Sequence, residues 1–325
     1  MAGARNCAAT RCRLFAKNCL LLQYMKISEI LGGKKQFISL EVVPPQRSIG
    51  RVELLDSIRP LMEFNPPYIN VTNHRDEFVY ERQADGTFTR KLERKRVSQT
   101  AVCASIMDEF KVEVVPHIIC AGASKEQVHY EISDYRYLGV ENVMALRGDC
   151  LAQEKRFTPE PGGYAYASEL VADIKDDSLC IGVGAYPEKH FEAPNIETDI
   201  AMLKRKVDAG ADFVITQMFF DNAFFYRFVD LARQAGINVP IIPGIKPIST
   251  SRQLHMLPEA FSINIPLELT SELEAHAQDR EACYRIGQEW ATMQTKDLLA
   301  HGVPAVHFYT MGKSDNIIGI LRECF

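Results

Sequence analysis

The alternation of short apolar segments with longer segments of helical periodicity is the feature that most constrains how this chain can fold. Eight segments have the length and β-branched content of buried strands: FISLEV (37–42), YINVT (68–72), VEVVPHII (112–119), ENVMALRG (141–148), SLCIGVGAY (178–186), DFVITQMF (212–219), VPIIPGI (239–245) and AVHFYTM (305–311). Such alternation is typical of repeated strand-helix units with a parallel sheet. Eight strands favour an α/β fold of the (β/α)8 TIM barrel type over a doubly wound sheet, which usually has fewer strands.

The segments between these strands include helices and two long connections. Helical periodicity is clearest at residues 52–64, 125–139, 195–210 and 283–302, and the last two segments end in the glycine expected after a helix C-terminus. Residues 73–95 contain FVYERQADGTFTRKL, in which alternating residues flank an ADG turn, so a β-hairpin projecting from the rim is predicted. The second long connection is 149–165, and 256–273 predicts short additional helices.

Length and composition suit one large domain. The chain has 325 residues, 46% hydrophobic and 24% charged, and we assign residues 25–325 to a single barrel. Its 37 basic and 42 acidic residues give a net charge of -5, without the basic surplus of a nucleic-acid groove. Nine cysteines lack the paired spacing of zinc ligands. We therefore expect no metal, no nucleic acid, and the reduced thiols of a cytoplasmic protein.

The first 24 residues differ from the rest in charge. They contain Arg5, Arg11, Arg13 and Lys17 but no acidic residue, and their apolar run at 20–22 is too short to span a membrane. We interpret residues 1–24 as a disordered or non-native extension before a start at Met25. A transit peptide is the alternative, because such peptides are also basic and poor in acidic residues.

Polar residues at the C-terminal ends of the strands are the candidates for chemistry, because barrel active sites lie there. Glu41 lies in ISLEVVPP, an apolar strand end followed by two prolines. Such surroundings predict a raised pKa that suits a general acid. A carboxylate paired with a basic neighbour at the rim is an equally weighted alternative.

Three further strand ends carry polar groups. Arg147, Gly148 and Asp149 end the fourth strand, where glycine permits close backbone approach, arginine offers a forked donor, and aspartate accepts hydrogen bonds from a heterocycle. Tyr186 and His190 share one loop in AYPEKHFEA and could contact a flat cofactor. Gln217 is either a core residue or a substrate contact.

Nucleotide-binding signatures are absent from the sequence. No GxGxxG follows a strand and no GxxxxGK[ST] occurs, so a nucleotide cofactor would lie across the barrel mouth. Arg205 and Lys206 precede the sixth strand, where two cations could neutralise a pyrophosphate, although a solvated basic face is the more common outcome.

The order of motifs resembles the methylenetetrahydrofolate reductase family. The segments that carry the resemblance are SLEVVPP, INVT, PHIIC, ALRGD, AYPEKHFEA, LKRKVDAGADFVITQMFFD, IIPGIKPIST and HFYTMGKSD, within residues 36–325. The resemblance implies a barrel with non-covalent FAD that takes a hydride from NADH or NADPH. The hydride then passes to 5,10-methylenetetrahydrofolate, giving 5-methyltetrahydrofolate for methionine synthesis.

The resemblance also implies roles for individual residues. Glu41 matches the acid that protonates the folate N10, and Asp149 matches the aspartate that contacts the pterin and tunes the flavin. Thr72 matches a residue near the nicotinamide and flavin. The other positions that match FAD contacts are His117, Arg147, Gly148, Ala167, Tyr186, His190, Ala193, Asp199, Arg205 and Lys206. Gln217 and Gln253 match folate contacts, and Lys313 stands where relatives often have an arginine beside the folate.

Two further departures from the family pattern are visible. Asn73, His74 and Arg75 replace the Tyr-Gly-Ala of many bacterial members, and Met202 replaces an asparagine of the FAD site. The family's larger members carry a regulatory domain that follows the barrel. We expect this chain to lack that domain and its inhibition by S-adenosylmethionine. Family members form dimers or tetramers, so a homo-oligomer is expected.

Two other classes of function compete with the reductase. A barrel lyase or aldolase without flavin would need a Schiff-base lysine, for which Lys246 in PGIKPIS is the candidate. A non-catalytic flavin- or folate-binding relative would have lost the acid, whereas Glu41 is present.

Overall fold

The protein, described by a computed structural model, forms a closed parallel barrel of eight strands, which confirms the predicted fold. The structure describes residues 25–33, 35–149, 156–310 and 314–325. Ten strands occur there: β1 (Phe37–Val42), β2 (Tyr68–Val71), β3 (Glu77–Arg82), β4 (Phe88–Glu93), β5 (Glu113–Ile119), β6 (Asn142–Leu146), β7 (Cys180–Ala185), β8 (Phe213–Met218), β9 (Ile241–Ile245) and β10 (Ala305–Tyr309). The barrel order is β1-β10-β9-β8-β7-β6-β5-β2, and β3 pairs only with β4.

Helices surround the barrel and fill most of its connections. They are α1 (Ile27–Leu31), α2 (Arg51–Ile58), α3 (Gln99–Phe110), α4 (Lys125–Tyr137), α5 (Ala167–Ile174), α6 (Ile196–Asp208), α7 (Asn222–Gln234), α8 (Gln253–Phe261), α9 (Leu267–Ala275), α10 (Arg280–Ala300) and α11 (Asp315–Cys324). The short helices predicted within 256–273 are confirmed as α8 and α9. The single helix predicted over 52–64 is wrong, because a 3-10 helix with Pro60 in its first turn follows α2.

Side-chain caps explain where several helices begin. Ser124 and Gln127 form a reciprocal capping box at α4. The side chains of Asn195, Asp221 and Asp279 accept backbone N–H groups at the starts of α6, α7 and α10. These caps satisfy donors that a helix leaves unpaired in its first turn.

The barrel wall separates two apolar regions. Ile38, Leu40 and Val42 of β1 belong to the core between strands and helices. Phe213 of β8 and Tyr68 of β2 belong to a second cluster that fills the barrel interior, together with Ile27 of α1. Because successive strand side chains point to opposite faces, the positions between the outward residues of β1 face the barrel axis.

The predicted hairpin after the second barrel strand is confirmed. Strands β3 and β4 are antiparallel, with Tyr80 opposite Arg90. Gly86 in the connecting turn has φ of 86°, a conformation that glycine adopts without strain. Lys91 and Glu81 form an ion pair of 2.9 Å across the strands.

Several other sequence-based expectations concern the described residues. No helix in these ranges is long and apolar enough to cross a membrane. The cysteines in the same ranges carry free thiols: Cys103, Cys120, Cys180, Cys283 and Cys324. The expected extension over residues 1–24 lies outside the described residues, as does part of the predicted connection 149–165.

The N-terminal end of the barrel contains a buried carboxyl group. Glu113 of β5 is 2% exposed, and its Oε1 accepts a hydrogen bond of 3.1 Å from Asn142 Nδ2. Asn142 Oδ1 in turn accepts the backbone N–H of Ile27 in α1 at 2.8 Å. Burial raises the pKa of Glu113 to about 7. The folded state therefore binds this proton more tightly than the unfolded chain does.

We predict that Glu113→Gln removes part of the pH dependence of stability. With the folded pKa at about 7 and the unfolded pKa at the ordinary glutamate value of about 4.5, this group makes stability fall as pH rises between those values. The variant should gain roughly 1–3 kcal/mol relative to the original protein between pH 5 and pH 8. Chemical denaturation at both pH values measures the difference. The control is Glu53→Gln, an exposed glutamate in α2, and an equal gap at both pH values would contradict the prediction.

Candidate active site

Glu41 lies at the C-terminal end of β1 with two histidines beside it. Its Oε2 is 3.6 Å from Nε2 of His117 on β5 and 3.9 Å from Nε2 of His307 on β10. The Glu41 side chain is 14% exposed, and both histidines are buried. Ser39 Oγ lies 2.9 Å from His307 Nδ1, which orients the second ring. The predicted residues Glu41 and His117 are therefore adjacent.

The raised pKa predicted for Glu41 is wrong for this structure. Burial by itself raises the pKa of Glu41. Contact with His307, and the positive charge that His117 and His74 carry when they are protonated, lower this pKa further than burial raises it. The net pKa lies below the ordinary carboxyl value, because groups that favour the charged form oppose desolvation. The sequence pattern revealed the apolar strand end but not the histidines on other strands.

His74 is a mouth residue that the sequence pattern did not identify. Its Nε2 lies 3.1 Å from Thr72 Oγ1, just after β2. Burial lowers the pKa of His74, and its charge interacts with both Glu41 and Asp149. Burial also lowers the pKa of His117, to about 4, so that ring is neutral near pH 7.

The two neighbours of His74, Asn73 and Arg75, contact α4 and the connection after β6. Asn73 Nδ2 donates a hydrogen bond of 3.1 Å to Glu131 of α4. Arg75 forms a 3.1 Å ion pair with Glu160. His74 thus faces the mouth while its two neighbours attach this segment to surrounding structure.

The end of β6 carries the predicted Arg-Gly-Asp triplet. Arg147 forms an ion pair with Glu192, and its guanidinium lies 4.9 Å from the centre of the Phe157 ring. Gly148 has φ of 82°, and Asp149 is exposed. The structure therefore leaves the Asp149 carboxylate accessible at the strand end.

The loop after β7 folds back onto α6. Tyr186 and His190 meet edge to face with ring centres 4.7 Å apart, as their shared loop suggested. The His190 N–H donates to Asp199 at 2.8 Å, and the Ala193 N–H donates to the His190 carbonyl at 2.9 Å. These hydrogen bonds hold the loop in place, and the residues that form them are ones that the resemblance predicts to contact the cofactor.

The two neighbouring cations of α6 have different surroundings. Lys206 donates a hydrogen bond to the Gly184 carbonyl at the end of β7, and burial lowers its pKa to about 8. Arg205 is exposed. Lys206 therefore lies close enough to Asp199 and Arg147 for their charges to affect its pKa, whereas Arg205 does not join this group.

The remaining predicted residues occupy diverse positions. Ala167 is the buried first residue of α5. Gln217 on β8 accepts the Met218 N–H through Oε1 at 2.9 Å, and Gln253 accepts the Ser249 N–H through Oε1 at 2.7 Å. Lys313 lies outside the described residues. No cluster of three or more potential metal ligands occurs within the described ranges.

We predict that Gly148→Ala destabilises the protein more than Gly162→Ala does. Both glycines have positive φ, 82° and 73°, but only at position 148 would a new Cβ meet another side chain, Ala121 Cβ at 2.8 Å. Backbone strain of about 1–2 kcal/mol is common to both, and the clash adds to it at Gly148. Thermal and denaturant unfolding of both variants measure the difference, and equal losses would contradict the assigned clash.

Comparison with known proteins identifies the family. The family model described as methylenetetrahydrofolate reductase matches residues 26–324. The chain is 33% identical to "5,10-methylenetetrahydrofolate reductase" of Escherichia coli, with 86% of this chain and 87% of the relative covered. It is also 33% identical to "Methylenetetrahydrofolate reductase (NADH) 1" of Arabidopsis thaliana, over 92% of this chain but 50% of the plant protein. The chain therefore spans about half the length of that plant relative.

A solved structure shares the architecture. An uncharacterised Clostridium thermocellum protein, described as binding two copies of 5-methyl-5,6,7,8-tetrahydrofolic acid, superposes with a TM-score of 0.61 at 12% identity. The alignment covers 92% of this chain and 98% of that one, and it supports the barrel fold alone. On the family match and the bacterial identity, this chain belongs to the methylenetetrahydrofolate reductase family.

Proposed function

We propose that this protein reduces 5,10-methylenetetrahydrofolate to 5-methyltetrahydrofolate with NADH or NADPH, through non-covalently bound FAD. Family membership supports the reaction class. The observation that carries the proposal is Glu41, a largely buried carboxyl group at the mouth between two histidines. A carboxyl group in this position can donate a proton to a substrate lying across the strand ends.

The residues around the ends of β6 and β7 suit a flavin dinucleotide. Lys206 is a half-buried cation whose desolvation is costly. Asp199 offsets part of that cost, and a pyrophosphate would offset more of it. The paired rings of Tyr186 and His190 offer flat surfaces nearby. The proposed cofactor residues are Thr72, His117, Arg147, Gly148, Asp149, Ala167, Tyr186, His190, Ala193, Asp199, Arg205 and Lys206. Bound FAD would supply hydride transfer between two substrates that occupy the mouth in turn.

Glu41 must be protonated before it can act as the acid. Its lowered pKa makes it a carboxylate in the free protein near neutral pH. A substrate ring over the mouth would exclude the remaining water, and this added burial raises the pKa of a carboxyl group. The protonated Glu41 then donates to the folate N10, which opens the five-membered ring. His117 is a neutral neighbour at that pH.

Other parts of the site are proposed to bind the substrates. Asp149 is accessible for hydrogen bonds to the pterin and for tuning the flavin. Gln217 and Gln253 are proposed folate contacts, with Lys313 beside them. We further propose that the protein acts in the cytoplasm as a homo-oligomer and supplies methyl groups for methionine synthesis.

We predict that Glu41→Gln separates the two halves of the reaction. Flavin reduction by NADH or NADPH should proceed, because it needs no proton from Glu41. Folate reduction should fall by about 10²-fold or more, because glutamine cannot donate a proton as the acid does. Anaerobic stopped-flow absorbance measures flavin reduction, and then reoxidation by methylenetetrahydrofolate. The original protein should lose folate reduction as pH rises through the Glu41 pKa of the complex.

The matched control for this variant is Glu160→Gln. It replaces another carboxylate by an amide, but Glu160 forms its ion pair with Arg75 instead of contacting the histidines beside Glu41. This variant should keep both half-reactions. Undiminished folate turnover in Glu41→Gln would refute the assigned proton donor.

A lyase or aldolase is the second candidate function, because the surroundings of Lys246 suit a Schiff-base lysine. It directly follows β9, is 6% exposed, and makes no hydrogen bond or ion pair within the described parts of the chain. Burial lowers its pKa, as expected of a lysine that forms Schiff bases. The same properties also suit a cation that awaits an anionic ligand.

We predict that borohydride trapping will leave Lys246 unmodified. The purified protein should release FAD on denaturation, and treatment with sodium borohydride and pyruvate should add no mass to the peptide that contains Lys246. Peptide mass spectrometry measures the modification, with Lys246→Met as the control. A colourless, folded protein with an adduct on Lys246 would favour the lyase instead.

A further inference from the structure

Asn70 is a fully buried amide in the centre of the barrel wall. It lies on β2, opposite Glu41 of β1 and Val115 of β5 in the strand registers. The neighbouring residues Ile69 and Val71 pack in the outer core. Asn70 therefore points into the barrel, on the same inner face as Glu41.

Neither polar atom of this amide has a hydrogen-bond partner in the part of the chain that the structure describes. Both Nδ2 and Oδ1 of Asn70 are buried and unpaired among the described residues, and so is the hydroxyl of Tyr68, the preceding inward residue of β2. An unsatisfied buried polar group costs about 1–3 kcal/mol, whereas leucine would fill a similar space without that cost. Buried polar groups are nearly always paired with protein or with ordered water.

The polar groups around Asn70 can support such a water. A buried water typically makes about three hydrogen bonds to groups that would otherwise be unsatisfied. The amide supplies donors at Nδ2 and an acceptor at Oδ1, and the Glu41 carboxylate supplies a further acceptor. Glu41 lies directly across the strand pair and Ser39 lies one inward position below it. These groups belong to a buried polar region of the barrel interior that also contains His117 and His307.

We propose that Asn70 binds an ordered water inside the barrel beneath Glu41, and that Asn70 is thereby a positioning residue for the Glu41 carboxyl group. The water site stands on the barrel geometry, and its effect on Glu41 rests on the proposed function. The water donates a hydrogen bond to the carboxylate, which restricts its orientation and stabilises the charged form left after proton donation. His74, His117, His307 and Tyr309 are the titratable groups that face Glu41 from the other elements.

A crystal structure at a resolution that reveals ordered water tests the site directly. We expect a water peak within about 3.2 Å of both Asn70 side-chain atoms. The same peak should be absent from Asn70→Leu. Direct bonding of the amide to protein groups, or a dry interior in the original protein, would overturn the proposal.

Two substitutions test the effect on Glu41. Asn70→Leu removes every polar atom of this side chain, whereas Asn70→Ser keeps a hydroxyl that can bind water. Asn70→Leu should slow flavin reoxidation by methylenetetrahydrofolate about tenfold, with flavin reduction by NADH or NADPH within about twofold of the original. Asn70→Ser should recover most of the lost rate.

The pH profile separates positioning from a merely structural role. Because the water's hydrogen bond favours the carboxylate, its loss raises the Glu41 pKa, and the alkaline limb of folate reduction should move to higher pH in Asn70→Leu. An unchanged limb and rate would overturn the positioning role. A higher melting temperature for Asn70→Leu would indicate a dry, unsatisfied amide and would also overturn the proposal.

The two proposals fail in different ways. If the original protein binds FAD but does not reduce methylenetetrahydrofolate, the proposed function fails. The water site can still be confirmed in that case, because its electron density does not depend on turnover. If folate reduction proceeds and the water is absent, only the inference about Asn70 fails.

Discussion

Closure of the sheet by β1 is the constraint on which the rest of the structure depends. This strand pairs with β10 on one side and β2 on the other, with Glu41 opposite both Tyr309 and Asn70. Because strand side chains alternate with a period of two, a slip of one residue would turn Glu41 into the outer core. The apolar residues of β1 oppose such a slip, since they would lose their burial against the helices.

The mouth has two chemically different halves that this closure joins. Around β1, β5 and β10 a carboxyl group shares a buried space with histidines, so desolvation and favourable charge act on it in opposite directions. Around β6, β7 and α6 lie a half-buried lysine, a pair of aromatic rings and the exposed Asp149. Proton donation is thus proposed for β1, and most of the proposed cofactor contacts lie at the ends of β6 and β7 and on α6, which allows the reacting groups to meet above the barrel axis.

Much of the fold was predictable because its signals are local. Strand length, β-branched content and helical periodicity located all eight barrel strands, and the ADG turn located the hairpin. Pro60 was a visible signal that the helix predicted over 52–64 would not remain regular. The site was predictable only in part. Glu41 could be named from its strand end and His117 from the family resemblance, whereas His74 follows a short strand and His307 lies within one.

By itself, the sequence determined the parallel barrel, the position of Glu41 at an apolar strand end, and the family through its ordered motifs. Only the tertiary structure decided the electrostatics of the site. The histidines that lower the Glu41 pKa come from three different strands or strand ends, and the unpaired amide of Asn70 becomes a neighbour of Glu41 only when β1 pairs with β2. A pKa depends on distances and burial across the folded chain, which periodicity along one segment does not specify.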